Sequence, residues 1–308
     1  MMPTNMKEKS GGLLRGRPRW RVAAVLLTGG LALGLLGHLA YSAAYYVSNL
    51  DFGSGMAFAD GFESGDLSKW EDGEVELCCD HSATIVSQGA REGAKALKFS
   101  LRGDDARVAG SKRAELRLKA VDLGQERWYA FSLFVPDEWQ TTPELVTVAQ
   151  WHAVDDRIFG EGGRAPPLRL ILNGETWAIA SHWDDRLLSG VPFRKAAPRD
   201  GANLWTGPLK RGVWTDWVFR VRWSYGDEGL IEVWKDGMPI VQRDGPNTYN
   251  DLLGPFFKVG IYIPQWKTET AASVASRREI LFDAIKQDSQ PLLPAQGEAV
   301  ALPRNSDD

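Results

Sequence analysis

From Phe58 onward the chain is written in short runs of period two, each closed by a turn signal. That pattern leaves room for little but an antiparallel β fold. Alternating runs occur at Ala94–Arg102, Arg113–Leu118, Trp128–Val135, Val146–His152, Leu168–Leu172, Thr176–Ser181, Trp217–Trp223, Leu230–Lys235, Phe256–Ile263 and Arg278–Ala284. Between them lie Arg102-Gly103-Asp104-Asp105, Pro136-Asp137, Asn173-Gly174, Gly226-Asp227-Glu228-Gly229 and Asp236-Gly237. Asn-Gly and Asp-Gly between alternating runs are hairpin signals, because both central residues of the tight turn need positive φ. No stretch past residue 58 sustains a helical period. Many short strands at this spacing build a sandwich, a jelly roll or a barrel, so the fold class is all-β. Residues 184–213 are polar and punctuated by Pro and Gly, and read as a long loop over one sheet edge.

Ahead of the β region, Lys7, Lys9, Arg15, Arg17, Arg19 and Arg21 form a basic flank, and Val22 to Tyr41 is apolar apart from Thr28, His38 and small residues. A helix of about 20 apolar residues can cross a bilayer. The flank would stay cytoplasmic, with Tyr41, Tyr45 and Tyr46 at the far interface. The rival is a signal peptide cut near Ser42-Ala43-Ala44. The run is long for a signal peptide, which favours an uncleaved anchor, and either reading exports the β region. The expected organisation is a basic flank at 1–21, an apolar helix at 22–46, a linker at 47–57, one β domain at 58–287 and a disordered Pro-, Ser- and Asp-rich tail at 288–308. The only cysteines, Cys78 and Cys79, are adjacent. They exclude a spaced disulfide framework and a Cys-rich zinc site, and leave two thiols or one vicinal bridge open. Thirteen tryptophans raise the prospect of sugar stacking, although Trp also simply suits sheets. A net charge of −4 argues against a nucleic-acid partner held by general basicity, but allows a locally basic groove.

Several strands carry polar chemistry on one face. In Phe256-Phe257-Lys258-Val259-Gly260-Ile261-Tyr262-Ile263, the residues Phe257, Val259, Ile261 and Ile263 share an apolar face, while Lys258, Gly260 and Tyr262 share the other. Arg113, Glu115 and Arg117 point one way, opposite Ala114, Leu116 and Leu118. Gln150 and His152 share a face at the end of another strand. A solvated outer face explains such rows, and so does a groove that binds an anion and moves a proton. His152 is a candidate acid or base near neutral pH. His81 lies in Cys78-Cys79-Asp80-His81-Ser82, and His182 follows a strand with no role assigned.

Taken together, these pieces resemble the jelly-roll polysaccharide lyases of the heparin lyase and glucuronan lyase type. The resemblance rests on Asp60-Gly61-Phe62-Glu63-Ser64-Gly65-Asp66-Leu67-Ser68-Lys69-Trp70, Cys78-Cys79-Asp80-His81-Ser82, Arg113-Ala114-Glu115-Leu116, Trp128-Tyr129-Ala130-Phe131-Ser132, Gln150-Trp151-His152, Trp223-Ser224 with Val233-Trp234-Lys235-Asp236-Gly237, and Lys258-Val259-Gly260-Ile261-Tyr262. It covers roughly residues 58 to 285, in order. It implies a β-jelly roll with a concave groove for an acidic polysaccharide. It also implies catalysis by His152 and Tyr262, with Arg113, Gln150, Lys258, His81 and Glu115 about the substrate. The elimination needs no cofactor. The family includes calcium-binding members, but no dense acidic loop of calcium type stands out here. Asp60, Glu63 and Asp283 are the candidates for a structural ion, and the metal is otherwise unassigned. The protein is expected to act as an exported monomer, attached to a membrane if the helix is retained.

These residue types suit β-elimination from a uronic acid. The C5 proton becomes removable once fixed donors neutralise the neighbouring carboxylate. A base then takes that proton and an acid protonates the leaving O4. A phenol beside a cation can serve either step, because positive charge favours phenolate. A His can serve the other, and the order between Tyr262 and His152 stays open. Two rivals need different features. A sugar-binding jelly roll needs no His/Tyr pair. A glycoside hydrolase needs two carboxylates facing one groove, for which Glu115 and Glu232 are the candidates.

Overall fold

The computed structural model describes residues 19–50, 57–70, 74–141, 143–189, 200–267 and 277–292, with residues 19–29 as backbone only. The basic flank before residue 19 and most of the C-terminal tail lie outside the described residues. The chain forms two compact units, Met1–Tyr45 and Tyr46–Asp308. Helix α1 covers Arg19–Asn49. Among the described residues no helix is long and apolar enough to cross a membrane. The segment expected to do so begins at Val22, and its first residues are not described as side chains.

The described residues then form fifteen strands: β1 (Phe58–Asp60), β2 (Glu74–Glu76), β3 (Ala83–Val86), β4 (Ala96–Arg102), β5 (Arg113–Ala120), β6 (Glu126–Phe134), β7 (Leu145–His152), β8 (Leu168–Asn173), β9 (Thr176–Trp183), β10 (Asp200–Pro208), β11 (Trp214–Arg222), β12 (Leu230–Lys235), β13 (Met238–Asp244), β14 (Phe256–Tyr262) and β15 (Arg277–Asp288). They make two antiparallel sheets. One runs β13-β12-β11-β6-β15-β4-β3, with β1 also on β15; the other runs β10-β9-β8-β7-β14-β5-β2. Hairpin neighbours lie towards the edges. The runs β11-β6-β15-β4 and β7-β14-β5-β2 instead join strands distant in sequence, as in a jelly roll.

The period-two faces decide how the layers meet. Phe257, Val259, Ile261 and Ile263 all lie in the core, as alternation predicts. Rings from the two sheets interlock there. Phe257 of β14 sits 5.1 Å from Tyr129, 5.8 Å from Phe131 and 5.0 Å from Trp151. Nine of the thirteen tryptophans are buried, so their abundance reflects the core rather than a sugar-stacking surface. The hairpin signals form as expected. Asp236 and Gly237, with φ of 51° and 76°, join β12 to β13. Cys78 and Cys79 are bonded to each other.

The expected loop at 184–213 contains a strand. β10 is an edge strand whose sequence Asp-Gly-Ala-Asn-Leu-Trp-Thr-Gly-Pro has no clean alternation, and most of it is at least partly exposed. Backbone pairing to β9 holds it, with an irregularity between Asn203 and Trp205. Pro208 is tolerated because it closes an edge.

One glycine fixes the packing of β14 in the second sheet. Gly260 has φ of +140°, and a Cβ there would meet Ala114 O at 2.1 Å and Glu115 Cα at 2.7 Å. It lies where the pairing of β14 with β7 shifts register, and opposite Glu115 on β5. Gly260→Ala should therefore cost more than the ~1–2 kcal/mol of left-handed strain alone. Gly237→Ala, in an open turn with nothing within 4 Å, should cost no more than that strain. Urea unfolding of the two variants checks the contrast.

Candidate active site

One face of the second sheet, the face of the expected groove, gathers polar side chains from four strands. β14 contributes Lys258 and Tyr262, β5 contributes Arg113, Glu115 and Arg117, and β7 contributes Gln150 and His152. β2 adds Glu76, which lies opposite Glu115. Register sets the rows: Phe256 faces His152, Lys258 faces both Gln150 and Arg117, Gly260 faces Glu115, and Tyr262 faces Arg113.

Beneath the groove lies a buried ion network. Lys258 Nζ is 2.5 Å from Glu76 Oε2 and 2.9 Å from Glu115 Oε2. Arg113 Nη1 donates to Glu76 at 2.9 Å and to Glu115 at 3.2 Å. The Gln150 amide donates to Glu115 Oε1. Two cations face two carboxylates, so the charge closes locally. Burial alone would push the Glu76 carboxyl up, but Lys258 and Arg113 outweigh it and hold it below the ordinary range. Lys258 is 1% exposed and Glu115 2%. Both lie under the groove surface, where they brace Arg113 and Gln150.

His152 is oriented by its own chain. Its Nδ1 lies 2.9 Å from the Ala153 carbonyl, which can only accept, so Nδ1 carries the proton and Nε2 presents a lone pair. The ring stacks on Phe256 with centroids 5.4 Å apart. Burial, then the nearby cations Lys258 and Arg113, lower its pKa to about 4 against the pull of the Ala153 carbonyl. The imidazole is thus neutral through the whole physiological range.

Tyr262, at the other end of β14, has the Arg113 guanidinium 4.7 Å from its ring centre. His152 and Tyr262 share the face but not a row. Phe256, opposite His152, precedes Tyr262 by six residues, about 20 Å of extended strand before bulging and curvature shorten it. Between the two rows the floor is low at Gly260 and polar at Gln150. His81, in the turn between β2 and β3, makes a different contact: its Nε2 is 2.9 Å from Asp105 Oδ1. That turn leaves the end of β2 at Glu76, on the side of Arg113 and Tyr262 rather than of His152.

Two further residues of this face carry chemistry: Arg169, which the sequence pattern did not flag, and His182, which it left without a role and which the structure places inside β9. Arg169 of β8 sits opposite Gln150. Burial lowers its pKa, against the pull of Tyr262 and Tyr249, and its Nε has no hydrogen-bond partner. Its signal is one cation in the otherwise apolar Leu-Arg-Leu-Ile-Leu, on the outward side. His182 of β9 has Nδ1 3.2 Å from the Pro166 carbonyl, and burial followed by Arg169 lowers its pKa. Gly201 of β10 makes room for that ring, since a Cβ there would lie 2.8 Å from His182 Cδ2.

The expected structural-ion residues serve as staples. Asp60 accepts from Phe62 N and Trp70 Nε1, Glu63 from Ala94 N and Lys95 N, and Asp283 from Arg91, Glu92 and Ala284 N. Among the described residues none of the three belongs to a cluster of three or more acidic, His or Cys side chains close enough to share one cation. The hydrolase pair does not assemble either. Glu115 is on β5 of one sheet, whereas Glu232 is on β12 of the other, bonded to Arg220.

The polysaccharide lyase family profile matches residues 62–286. The chain belongs to the polysaccharide lyase family. Among solved structures, it is similar to an endo-β-1,4-glucuronan lyase from the fungus Trichoderma reesei, at 18% identity and a TM-score of 0.64, over 76% of this chain and 96% of that one. It is also similar to an alginate lyase of polysaccharide lyase family 7, at 14% identity and a TM-score of 0.45, over 68% of this chain and 83% of that one. A GH131 β-glucanase catalytic domain from Podospora anserina matches at 13% identity and a TM-score of 0.43, over 68% of this chain and 80% of that one. No curated protein matches the chain. The likeness to the glucuronan lyase establishes the fold, and the family match covers nearly the whole β domain of this lyase-family chain.

The buried network yields a stability prediction. Lys258→Ala strands Glu76 and Glu115 without their shared cation, and should destabilise the protein by about 3–5 kcal/mol in denaturant unfolding. A loss under about 1 kcal/mol would show that Arg113 alone neutralises both carboxylates.

Proposed function

We propose that this chain is an exported lyase that cleaves a uronic-acid-containing polysaccharide by β-elimination on the groove face of the second sheet. The finer likeness to the heparin lyase and glucuronan lyase type, and the roles that come with it, belong to this proposal. The observation that carries it is the neutral imidazole of His152, with its lone pair at Nε2, on the face that also holds Tyr262, Gln150, Arg113 and Arg169. A glycoside hydrolase needs two carboxylates bracketing the bond. Here the groove carboxylates Glu76 and Glu115 are committed to Lys258 and Arg113.

In this reading the sugar chain lies over Gly260, where the missing side chain leaves depth for a ring. Arg169, Gln150 and Arg113 are the donors for the uronate carboxylate, and their positive charge stabilises the anion formed when the C5 proton leaves. Lys258 and Glu115 hold those donors in place. A base on the groove face takes the C5 proton. The electron pair forms the C4–C5 double bond, the C4–O4 bond breaks, and an acid returns a proton to O4. Tyr262 and His152 are the two groups that exchange these protons. The phenol has the Arg113 guanidinium 4.7 Å from its ring centre. The net negative charge of the chain, and the commitment of Lys258 and Arg113 to carboxylates, favour a carboxylate polymer over a highly sulfated one. Trafficking through the N-terminal apolar segment is part of the same proposal.

The test is ultraviolet absorbance of unsaturated product over a panel of uronic-acid polymers. Tyr262→Phe and His152→Ala should each lower kcat by about 10²–10⁴ while the folded spectrum is unchanged. Arg169→Ala should lower kcat/KM on the same polymer. Wild-type rates in both Tyr262→Phe and His152→Ala would overturn the site, and reducing ends without absorbance would overturn elimination.

The pH profile supplies a second check. With the His152 pKa lowered to about 4, the imidazole stays unprotonated as pH falls through 6.5. The acid limb of kcat/KM assigned to this group should therefore lie near 4, not 6.5. Because the folded value is below the unfolded one, stability from neutral His152 is present above about 6.5 and is lost as pH falls from there toward 4.

A further inference from the structure

Among the described residues of the β domain, nine large apolar side chains are exposed, and five of them lie on three stretches that hold one another. The five are Ile158 and Phe159 after β7, Leu187 and Leu188 after β9, and Leu252 before β14, at 40% to 71% exposure. Leu252 N donates to Asp156 Oδ1 at 3.2 Å, and Ser189 N donates to Glu161 Oε1 at 2.6 Å. Arg164 donates to Ser189 Oγ at 2.9 Å and to Asp251 Oδ2 at 2.5 Å. Glu161 and Asp251 are thus buried against Arg164, and the apolar side chains are left outside. Asp185 and Arg186, both exposed, precede the two leucines. Apolar residues exposed singly are ordinary, but a group of them edged by charge marks a contact surface.

The same end of the second sheet receives the chain from the N-terminal segment. Ala120, the last residue of β5, is opposite Phe256, and Phe256 is opposite His152. The ends of β5 and β7 therefore lie beside the start of β14, and Ile158, Phe159 and Leu252 are a few residues away along the chain. Lys119 Nζ, next to Ala120, donates to the Ser48 carbonyl at 2.8 Å. The charges of Asp156 and Asp122 also act on the Tyr46 phenol. Tyr46 and Ser48 belong to the same compact unit as the β domain. Upstream, the apolar run ends at Tyr41, seven residues before Ser48 along α1. Seven residues are about 10 Å of helix.

We propose that Ile158, Phe159, Leu187, Leu188 and Leu252 form a surface that docks on the lipid bilayer in which the N-terminal segment anchors the chain. The inference rests on the reading of that segment as a retained membrane anchor, and it holds whether or not the elimination is correct. A span that ends at Tyr41 keeps Ser48, and with it this end of the second sheet, within about 10 Å of the hydrocarbon boundary along the helix. The patch lies at that end, so it is the apolar surface the tether brings to the lipid. Apolar side chains that enter the boundary of headgroups and acyl chains add to membrane binding in proportion to the area they bury. Arg186 is paired with Asp184, so apolar burial rather than charge carries the contact. Docking sets the His152 end of the second sheet towards the membrane, and the groove then meets its polysaccharide close to the bilayer surface.

The test uses the full chain reconstituted into phosphatidylcholine vesicles. Cys78 and Cys79 are bonded to each other, so an introduced cysteine is the one thiol open to a polarity-sensitive fluorophore. Phe159→Cys, Leu187→Cys and Met238→Cys each replace an exposed side chain, the last on β13 of the other sheet. The labels of Phe159→Cys and Leu187→Cys should shift to the blue and be quenched about twofold or more by a lipid carrying a spin label in its acyl chain. The label of Met238→Cys should stay in water. Flotation of the vesicles separates the two readings. Protein that floats while both patch labels behave like that of Met238→Cys would overturn the docking surface and leave the anchor standing. Protein that does not float would overturn the anchor, and the docking surface with it. Patch labels that shift to the blue without being quenched would also overturn the inference, because the patch would then be covered by protein, such as a second copy of the chain.

Discussion

The groove depends on the buried network of Lys258, Arg113, Glu76 and Glu115. Any one of these charges alone under a sheet face would be costly to bury. Together they close to neutrality within hydrogen-bonding distance, across β2, β5 and β14. Gln150 joins from β7 by donating to Glu115. Four strands that are far apart in sequence are thereby locked in one register at the centre of the groove. Gly260 makes the closeness possible, since its backbone approaches β5 where no Cβ fits.

The network also sorts the polar residues of the face by their burial and pairing. Lys258 and Glu115 are almost fully buried and spend their charge on each other and on Glu76 and Arg113. Arg169 stands outside the network, one strand further on, with no ion pair among the described residues. His152 is set by two neighbours of its own: the Ala153 carbonyl chooses its tautomer, and Phe256 fixes its plane. An imidazole kept neutral by burial beside cations can accept a proton over a broad pH range.

Much of this was legible in the chain itself, and for a physical reason. Alternation arises from strand geometry, so Phe257, Val259, Ile261 and Ile263 are recognisable as core without a structure. The Asp236-Gly237 turn is equally local, since only a few residues accept positive φ. β10 was not legible, because an edge strand held by backbone bonds needs no side-chain pattern. Arg169 was hidden for a similar reason: a single cation in an apolar strand acquires meaning only when its neighbours across the sheet are known. The tryptophans left both readings open, since ring count does not say which face a ring takes.

By itself, then, the sequence determined the class of fold, the inward and outward faces of its strands, and the residue types able to perform acid–base chemistry. All of these arise from interactions within a few residues. Only the tertiary structure decided which of those residues meet. Pairing across strands far apart in sequence commits Lys258 and Glu115 to a buried network, sets His152 and Tyr262 at two ends of one groove, and sends Glu232 to the opposite sheet. Charge balance and burial are properties of that three-dimensional neighbourhood, and no local pattern encodes them.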